Sequence, residues 1–139
     1  MRIIAVCTGN TCRSPMAEAM LKKKYADKAE VCSRGLMASG LPASEESVEV
    51  MREMGYDISE HVSRRITPEE IKKADLILTM TQSHKDILLA AVPEAMGKIF
   101  TLCEYAKIGG EISDPYALGI EEYRQCAEKI KKAVEAIKL

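Results

Sequence analysis

The sequence predicts an α/β fold in which helices cover both faces of a parallel sheet. Short apolar runs rich in β-branched residues alternate with segments whose apolar residues recur at helical spacing. Strands that alternate with helices are typical of parallel sheets that are buried on both faces. The length of 139 residues predicts a single domain over residues 1–139, without internal repeats or linkers. A helical protein in which two apolar turns imitate strands is the alternative.

Each predicted element has its own signal in the sequence. Four apolar runs predict strands over residues 2–6, 30–33, 76–80 and 98–102. Ser14, followed by Pro15, predicts a helix N-cap, and Thr67 begins a capping box. Gly55 is placed to end a helix that starts at Ser44. Helices are also expected from residue 14 to between 24 and 27, for about two turns after residue 67, over 81–92 and over 120–137.

The composition excludes several classes of protein. Twenty basic residues face 21 acidic ones, the net charge is −1, and the chain has no Trp and one Phe. General binding to nucleic acid or to membranes is therefore not expected, and any anion site has to be local. No apolar run approaches the roughly 18 residues of a membrane span, and no secretory signal is visible. Five Cys at irregular spacing fit a reducing compartment, so we expect a cytoplasmic protein.

The segment between the first predicted strand and the first predicted helix resembles an anion-binding loop, with the sequence CTGNTCRS over residues 7–14. Backbone N–H groups in such a turn, and the positive end of the helix, attract an anion. The guanidinium of Arg13 can grip two phosphate oxygens, and the same field favours a thiolate at Cys7, which is placed to attack phosphorus. The predicted phosphate-binding residues are Thr8, Gly9, Asn10, Thr11, Cys12, Arg13 and Ser14.

A Cys and an Arg separated by five residues are a weak signal by themselves. The position of this pair after a buried strand and before a Ser-Pro helix start strengthens the signal considerably. The alternative is that Cys7 is only a buried apolar thiol and Arg13 a surface residue. The chain has two His, and the spacing of Cys7 and Cys12 does not fit a zinc knuckle, so neither a metal nor a cofactor is expected.

Four motifs resemble those of the low-molecular-weight protein tyrosine phosphatases, and together they extend over nearly the whole chain. The first is VCTGNTCRSPMAE over residues 6–18, and Ser33 with Gly35 is similar to the Ser-x-Gly that follows the family's second strand. The stretch HVSRRIT over residues 61–67 and SDPY over residues 113–116 are similar to two later motifs. The resemblance implies a compact Rossmann-like fold, with a twisted sheet of four parallel strands flanked by helices, and hydrolysis through a phosphocysteine.

The departing group needs a proton, and a carboxylic acid above the loop can supply it. Asp114 is the candidate, since Asp-Pro restricts its backbone, although on the sequence alone Asp-Pro is more often an ordinary turn. The resemblance assigns Asp114 as the general acid, and then as the base that activates water. It also implies a supporting network of Asn10, Ser33 and His61, while Ser14 is placed to hydrogen-bond the sulfur of Cys7. The sequence assigns no role to the other histidine, His84.

The second thiol of the loop, Cys12, has two interpretations. It is either a small loop filler or a redox partner that forms a reversible disulfide with Cys7 and protects the nucleophile from further oxidation. The three other cysteines are interpreted as ordinary buried residues, namely Cys32, Cys103 and Cys126.

Two positions bear on the substrate. The commoner family loop has a bulky aliphatic residue, often Ile, where this chain has Thr11, and the bacterial protein arginine phosphatase branch resembles this chain in having Thr. The hydroxyl of Thr11 suits a planar, charged phosphoguanidinium group better than a phenyl ring. Many tyrosine phosphatases have a second aromatic residue where this chain has Ala117, so Tyr116 alone remains as an aromatic wall. These departures favour phosphoarginine, and phosphotyrosine is the alternative substrate.

Two other functions are less consistent with the sequence. Arsenate reductases of this fold use additional paired cysteines, and residues 79–89 contain none. A non-enzymatic anion-binding module would be expected to have lost Cys7, Arg13 or Asp114, and all three are present. Phosphorylated proteins are therefore the expected partners, and the chain is expected to act as a monomer.

Overall fold

A computed structural model describes residues 1–139, and its centre is a sheet of four strands. The strands are β1 (Arg2–Cys7), β2 (Glu30–Gly35), β3 (Leu76–Thr79) and β4 (Ile99–Thr101). All neighbouring strands are parallel, and their order across the sheet is β2-β1-β3-β4. The predicted parallel sheet is therefore confirmed, with β1 at its interior.

Helices connect the strands and cover both faces of the sheet. They are α1 (Arg13–Tyr25), α2 (Glu45–Glu53), α3 (Pro68–Lys73), α4 (Gln82–Ala91), α5 (Leu102–Tyr105) and α6 (Ile120–Ala136). A single 3₁₀ turn follows α4. None of the helices combines the length and the apolar character that a membrane crossing requires.

The alternation of side chains along β1 divides the core into two layers. Ile3, Ala5 and Cys7 face a large apolar cluster that also contains buried residues of α1, α2 and α6. Ile4 and Val6 face a smaller cluster on the opposite side, which is completed by α3, α4 and β4. Because a strand turns successive residues to opposite faces, the apolar run of β1 has partners on both sides. The thiol of Cys7 therefore ends a buried strand on the side of the larger cluster.

Capping boxes define the beginnings of three helices. The predicted box at Thr67 is confirmed, with Glu70 at its third helical position. Thr101 forms a box of the same kind with Glu104, so the chain leaves β4 directly into α5. The sequence prediction that the fourth strand continues to residue 102 is therefore wrong, because the side chain of Thr101 accepts the backbone N–H of a helical turn.

The start of α1 also differs from the prediction. The helix begins at Arg13 with Cys12 as its N-cap, and no side chain caps it. Ser14 is not the N-cap, because its hydroxyl lies within hydrogen-bonding distance of Cys7 and Asn10 instead. Pro15 then occupies the third helical position. An N–H group there would have no acceptor within the helix, so its absence costs no helical hydrogen bond.

The carboxyl ends of β1 and β2 lie side by side, with Cys7 in register with Gly35. The chain after β1 packs directly on Gly35, where a Cβ atom would lie 2.7 Å from the carbonyl oxygen of Thr8 and 2.9 Å from Cβ of Asn10. Real Cβ atoms do not approach backbone so closely. Glycine at this position therefore lets the segment after Cys7 close against the sheet.

We expect Gly35→Ala to move the segment 8–10 and to lower the free energy of unfolding by about 1–3 kcal/mol, the usual cost of overpacking. Thermal unfolding measures the loss, and turnover of a phosphorylated substrate measures the displacement. Gly109→Ala is the matched control, since a Cβ atom there meets nothing within 4 Å. Equal unfolding temperatures for the two variants would contradict the close approach.

Candidate active site

The loop between β1 and α1 carries a run of unpaired backbone donors. The backbone N–H groups from Thr8 to Cys12 donate to no other backbone group. Cys7 lies at the base of this loop and is 2% exposed, and its Sγ is 2.9 Å from Oγ of Ser14. Unpaired N–H groups that precede a helix form an attractive site for an anion. The predicted phosphate-binding residues therefore lie together around the thiol.

Hydrogen bonds of Asn10 hold this loop in place. Its backbone has a φ of 57°, in the left-handed region that Asn tolerates, and its side chain is completely buried. Nδ2 donates to Oγ of Ser14 at 2.8 Å and to Oγ of Ser33 at 2.9 Å. Oδ1 accepts the N–H of Arg64 at 3.0 Å, and the carbonyl oxygen is 2.7 Å from Nε2 of His61. The structure thus brings the four predicted supporting residues into one network.

A carboxylate extends the network beyond the residues that the sequence indicated. Oγ of Ser33 donates to Oε1 of Glu18 at 2.6 Å, and Glu18 also forms an ion pair with Lys22. Since Ser33 donates its only hydrogen to Glu18, its oxygen is left to accept from Asn10. Glu18 belongs to the segment 6–18 that carried the family resemblance, but no role was predicted for it.

Arg13 is buried and lacks one hydrogen-bond partner. Its side chain is 5% exposed, and Nη1 donates to the carbonyl oxygen of Ile112 at 2.9 Å. Nη2 lies 3.9 Å from Oδ2 of Asp114, whereas Nε is buried without any partner. An unpaired buried donor on a charged group is costly in a native structure, and a bound anion would relieve that cost. Nε of Arg13 is therefore a donor available to an anionic oxygen.

Asp114 lies beside Arg13 in the loop that precedes α6. Its side chain is 55% exposed, and Oδ1 accepts the backbone N–H of Tyr116 at 3.0 Å. Tyr116 is exposed, and Ala117 adopts a φ of 62°. The structure places the predicted acid next to the predicted phosphate ligand, at the open side of the site.

Thr11 and Cys12 lie in the second half of the loop, directly before α1. The carbonyl oxygen of Thr11 accepts the N–H of Ser44 at 2.9 Å, and its hydroxyl lies 3.7 Å from Sγ of Cys12. That sulfur is 3.4 Å from the hydroxyl of Tyr123 and 3.7 Å from Oγ of Ser44. Cys12 is thus surrounded by hydroxyl groups, and burial raises the pKa of the Tyr123 hydroxyl.

The remaining cysteines differ in burial. Cys103 and Cys126 are buried as predicted, and burial raises the pKa of the Cys126 thiol to about 12. Cys32 is only half-buried, so its interpretation as a buried residue is wrong. It lies in β2, whose outer edge has no neighbouring strand to cover it.

His84, to which the sequence assigned no role, lies against the phosphate loop. Its Nε2 is 2.9 Å from Oγ1 of Thr8, and its Nδ1 accepts the backbone N–H of Thr81. Burial, with a smaller effect from the positive charge of Arg13, lowers the pKa of His84 to about 4. A histidine three residues after a Thr N-cap replaces the usual Glu or Gln of a capping box, and that exception was the available signal.

The chain resembles known proteins over nearly its whole length. The family described as low molecular weight phosphotyrosine protein phosphatase matches residues 2–138. The low molecular weight protein-tyrosine-phosphatase PtpB of Staphylococcus haemolyticus is 43% identical over 131 residues, which cover 94% of this chain and 92% of that protein.

Solved structures resemble the whole chain. The YwlE arginine phosphatase from Geobacillus stearothermophilus superimposes with a TM-score of 0.91 at 39% identity, covering 97% of this chain and 88% of that one. A cysteine-to-serine mutant of YwlE arginine phosphatase with a phosphorylated active-site serine has a TM-score of 0.90 at 36% identity, covering 98% of this chain and 92% of that one. With fold, loop and sequence in agreement, the chain belongs to the low molecular weight phosphotyrosine protein phosphatase family.

Proposed function

We propose that the protein hydrolyses phosphorylated side chains of proteins through a phosphocysteine at Cys7, with phosphoarginine as the favoured substrate. The observation that carries the proposal is the set of unpaired donors around the thiol. The backbone N–H groups of residues 8–12 and Nε of Arg13 lack acceptors, and one phosphoryl group supplies three oxygens to them. Preorganised donors of this kind stabilise the charge of a phosphoryl transition state.

In the first step, the thiolate of Cys7 attacks phosphorus in line with the departing atom. The S–P bond forms while the bond from phosphorus to the substrate nitrogen or oxygen breaks. Asp114, which enters this step protonated, gives its proton to the departing atom. Arg13, held by the carbonyl of Ile112, keeps Nε and Nη2 turned toward the phosphoryl oxygens.

In the second step, water replaces the thiolate. Asp114, now ionised, removes a proton from the water molecule as its oxygen attacks phosphorus, and the S–P bond breaks to release inorganic phosphate. The hydroxyl of Ser14, 2.9 Å from Sγ of Cys7, is placed to donate to the departing sulfur. The proton that Asp114 takes from water restores its acid form for the next cycle. The related mutant with a phosphorylated active-site serine supports a covalent intermediate.

Two features support phosphoarginine. The hydroxyl of Thr11 lies 3.7 Å from Sγ of Cys12, which is a long contact, so the hydroxyl can still bond a polar substrate group. Asp114 is half-exposed beside the phosphate site, where its carboxylate can also face a guanidinium group. A relative named an arginine phosphatase has the same overall structure.

Phosphotyrosine is the second candidate substrate. The observation in its favour is the 43% identity to a relative named a protein-tyrosine-phosphatase, which exceeds the 39% identity to the arginine phosphatase. Tyr116 is 72% exposed and can pack on a phenyl ring. The ratio of kcat/KM on phosphoarginine and phosphotyrosine peptides decides between the two.

Cys7→Ser should abolish steady-state turnover, because the hydroxyl is a far weaker nucleophile and leaving group, while binding of a phosphate analogue should persist, because the donors remain. Release of phosphate and displacement titration with phosphate measure the two effects. Cys32→Ser in β2 is the matched control and should turn over normally. Substantial turnover by Cys7→Ser would refute covalent catalysis by this residue.

Asp114→Asn should slow the chemical step by about 10²–10⁴-fold, the usual contribution of general acid–base catalysis. The loss in phosphoenzyme formation should be smaller for a leaving group that needs no proton, such as para-nitrophenolate, than for phenolate. Single-turnover rates on the two aryl phosphates test this difference. Asp27→Asn, which changes an exposed carboxylate after α1, should have no effect. An equal loss for both leaving groups would exclude Asp114 as the acid.

Thr11→Ile should lower phosphoarginine turnover and should hold or raise phosphotyrosine turnover, because it adds apolar bulk and removes a hydroxyl. A selectivity change of one to two orders of magnitude corresponds to about 1.4–2.8 kcal/mol of differential transition-state binding. Thr11→Val, which keeps the size and removes only the hydroxyl, separates the two causes. A parallel change of both activities would leave Thr11 as a residue that only shapes the loop.

A further inference from the structure

A buried histidine outside the proposed catalytic set contacts the residue that follows the nucleophile. His84 lies in the first turn of α4 and is 5% exposed, and its Nε2 is 2.9 Å from Oγ1 of Thr8. The two residues are 76 positions apart in the chain. Because β3 and β1 are neighbours, the start of α4 lies beside the start of the phosphate loop.

The contacts of the ring determine which nitrogen carries the proton. The backbone N–H of Thr81 lies 3.2 Å from Nδ1, and a backbone N–H can only donate. Nδ1 is therefore the acceptor, and in a neutral ring the hydrogen is on Nε2. Nε2 consequently donates to Oγ1 of Thr8.

The surroundings keep the ring neutral. Burial disfavours its cationic form, Arg13 adds a nearby positive charge, and the carboxylates of Glu111 and Asp114 oppose these two effects only in part. The helix start beneath the ring also carries a positive partial charge. At ordinary pH the ring therefore has one donor and one acceptor, and both are in use.

This donation determines the direction of the hydroxyl hydrogen of Thr8. Oγ1 accepts from His84, so its own hydrogen is directed away from the ring. The Thr8 residue is exposed at the loop surface, and its carbonyl oxygen is held by the N–H of Met37 at 2.9 Å. No hydrogen bond within the protein uses the hydrogen of this hydroxyl, so it is available to an acceptor from outside the chain.

We infer that His84 is a positioning residue for catalysis: its Nε2–H donates to Thr8 and thereby aims the Thr8 hydroxyl as an additional donor to an oxygen of the bound phosphoryl group. The inference rests on the proposed function of this loop. A hydroxyl that is oriented before the substrate arrives needs no reorganisation during the reaction. The donor then acts together with Arg13 and the N–H groups of residues 8–12.

The tautomer can be measured without any substrate. Two-bond proton–nitrogen correlation spectra of the ¹⁵N-labelled protein at neutral pH should show His84 protonated on Nε2 and bare on Nδ1. The chain has only two histidines, so His84→Gln assigns the signals. A proton on Nδ1, or rapid exchange between both tautomers, would overturn the inference.

A double-variant cycle tests the coupling between the two residues. His84→Phe and Thr8→Val should each reduce kcat/KM and the affinity for inorganic phosphate by about tenfold, the effect of one hydrogen bond to a charged group. The double variant should lose no more than either single variant, because the two residues act through one hydroxyl. Losses that multiply to about a hundredfold would show that the residues act independently and would overturn the inference.

Two further variants separate positioning from helix capping. His84→Gln should restore most of the activity, since its amide can accept from Thr81 and donate to Thr8. Thr81→Val removes the cap acceptor of α4 without touching Thr8, and should lower Tm while kcat/KM stays within about twofold. A kinetic loss in Thr81→Val as large as that in His84→Phe would assign His84 a purely structural role.

The outcome remains decisive if a variant folds poorly. Thr8 is exposed, so Thr8→Val reports on the hydroxyl even where His84→Phe is unstable, and unchanged phosphate affinity in Thr8→Val would refute the additional donor. Failure of the proposed function is distinguishable, because it would appear as turnover by Cys7→Ser. The tautomer and phosphate measurements do not depend on turnover.

Discussion

The side chain of Asn10 is the interaction on which the candidate site depends. One amide reaches Ser14, Ser33 and the backbone of Arg64, and so ties the loop to α1, to β2 and to the segment after α2. The backbone of Asn10 adopts a left-handed conformation, which carries some strain in a residue other than glycine. The strain is tolerable because every polar atom of the amide is satisfied in a buried position. These hydrogen bonds hold the loop, and with it the backbone N–H groups of residues 8–12, in one conformation.

The parallel sheet supplies the second constraint. Strands β1, β2 and β3 end at the same edge, so residues distant in sequence meet there, as is usual for open α/β sheets. Gly35 and His84 reach the loop from β2 and α4, and Asp114 reaches it from the segment before α6. The burial of Cys7 and Arg13 contrasts with the exposure of Asp114, and the proposed function uses this contrast, with phosphate bound at the buried residues and the proton transferred at the exposed one.

The sequence predicted the parts of the molecule that local chemistry determines. The loop from Cys7 to Arg13 was recognisable because its residues are contiguous and stand between a strand and a helix. The choice of Ser14 as an N-cap was wrong, since a local signal does not reveal that a distant Asn10 and Cys7 engage the hydroxyl. His84 was overlooked because its partner Thr8 is 76 residues away, and the unusual histidine of the capping box does not by itself reveal that contact. The family resemblance supplied Asp114, which the residue types alone had left as a turn.

The interior position of β1 has a consequence for the order of events during synthesis. Cys7 is made before β3 and Ile112, but β1 needs β3 as a neighbour, and Arg13 needs the carbonyl oxygen of Ile112. The chain therefore has to leave the ribosome as far as β3 before the thiol is enclosed, and as far as Ile112 before the guanidinium is oriented. During that interval the nascent chain carries an uncovered thiol and an incomplete sheet, the kind of species that chaperones protect. A chain truncated before Ile112 would contain the entire loop and lack a contact that orients its arginine.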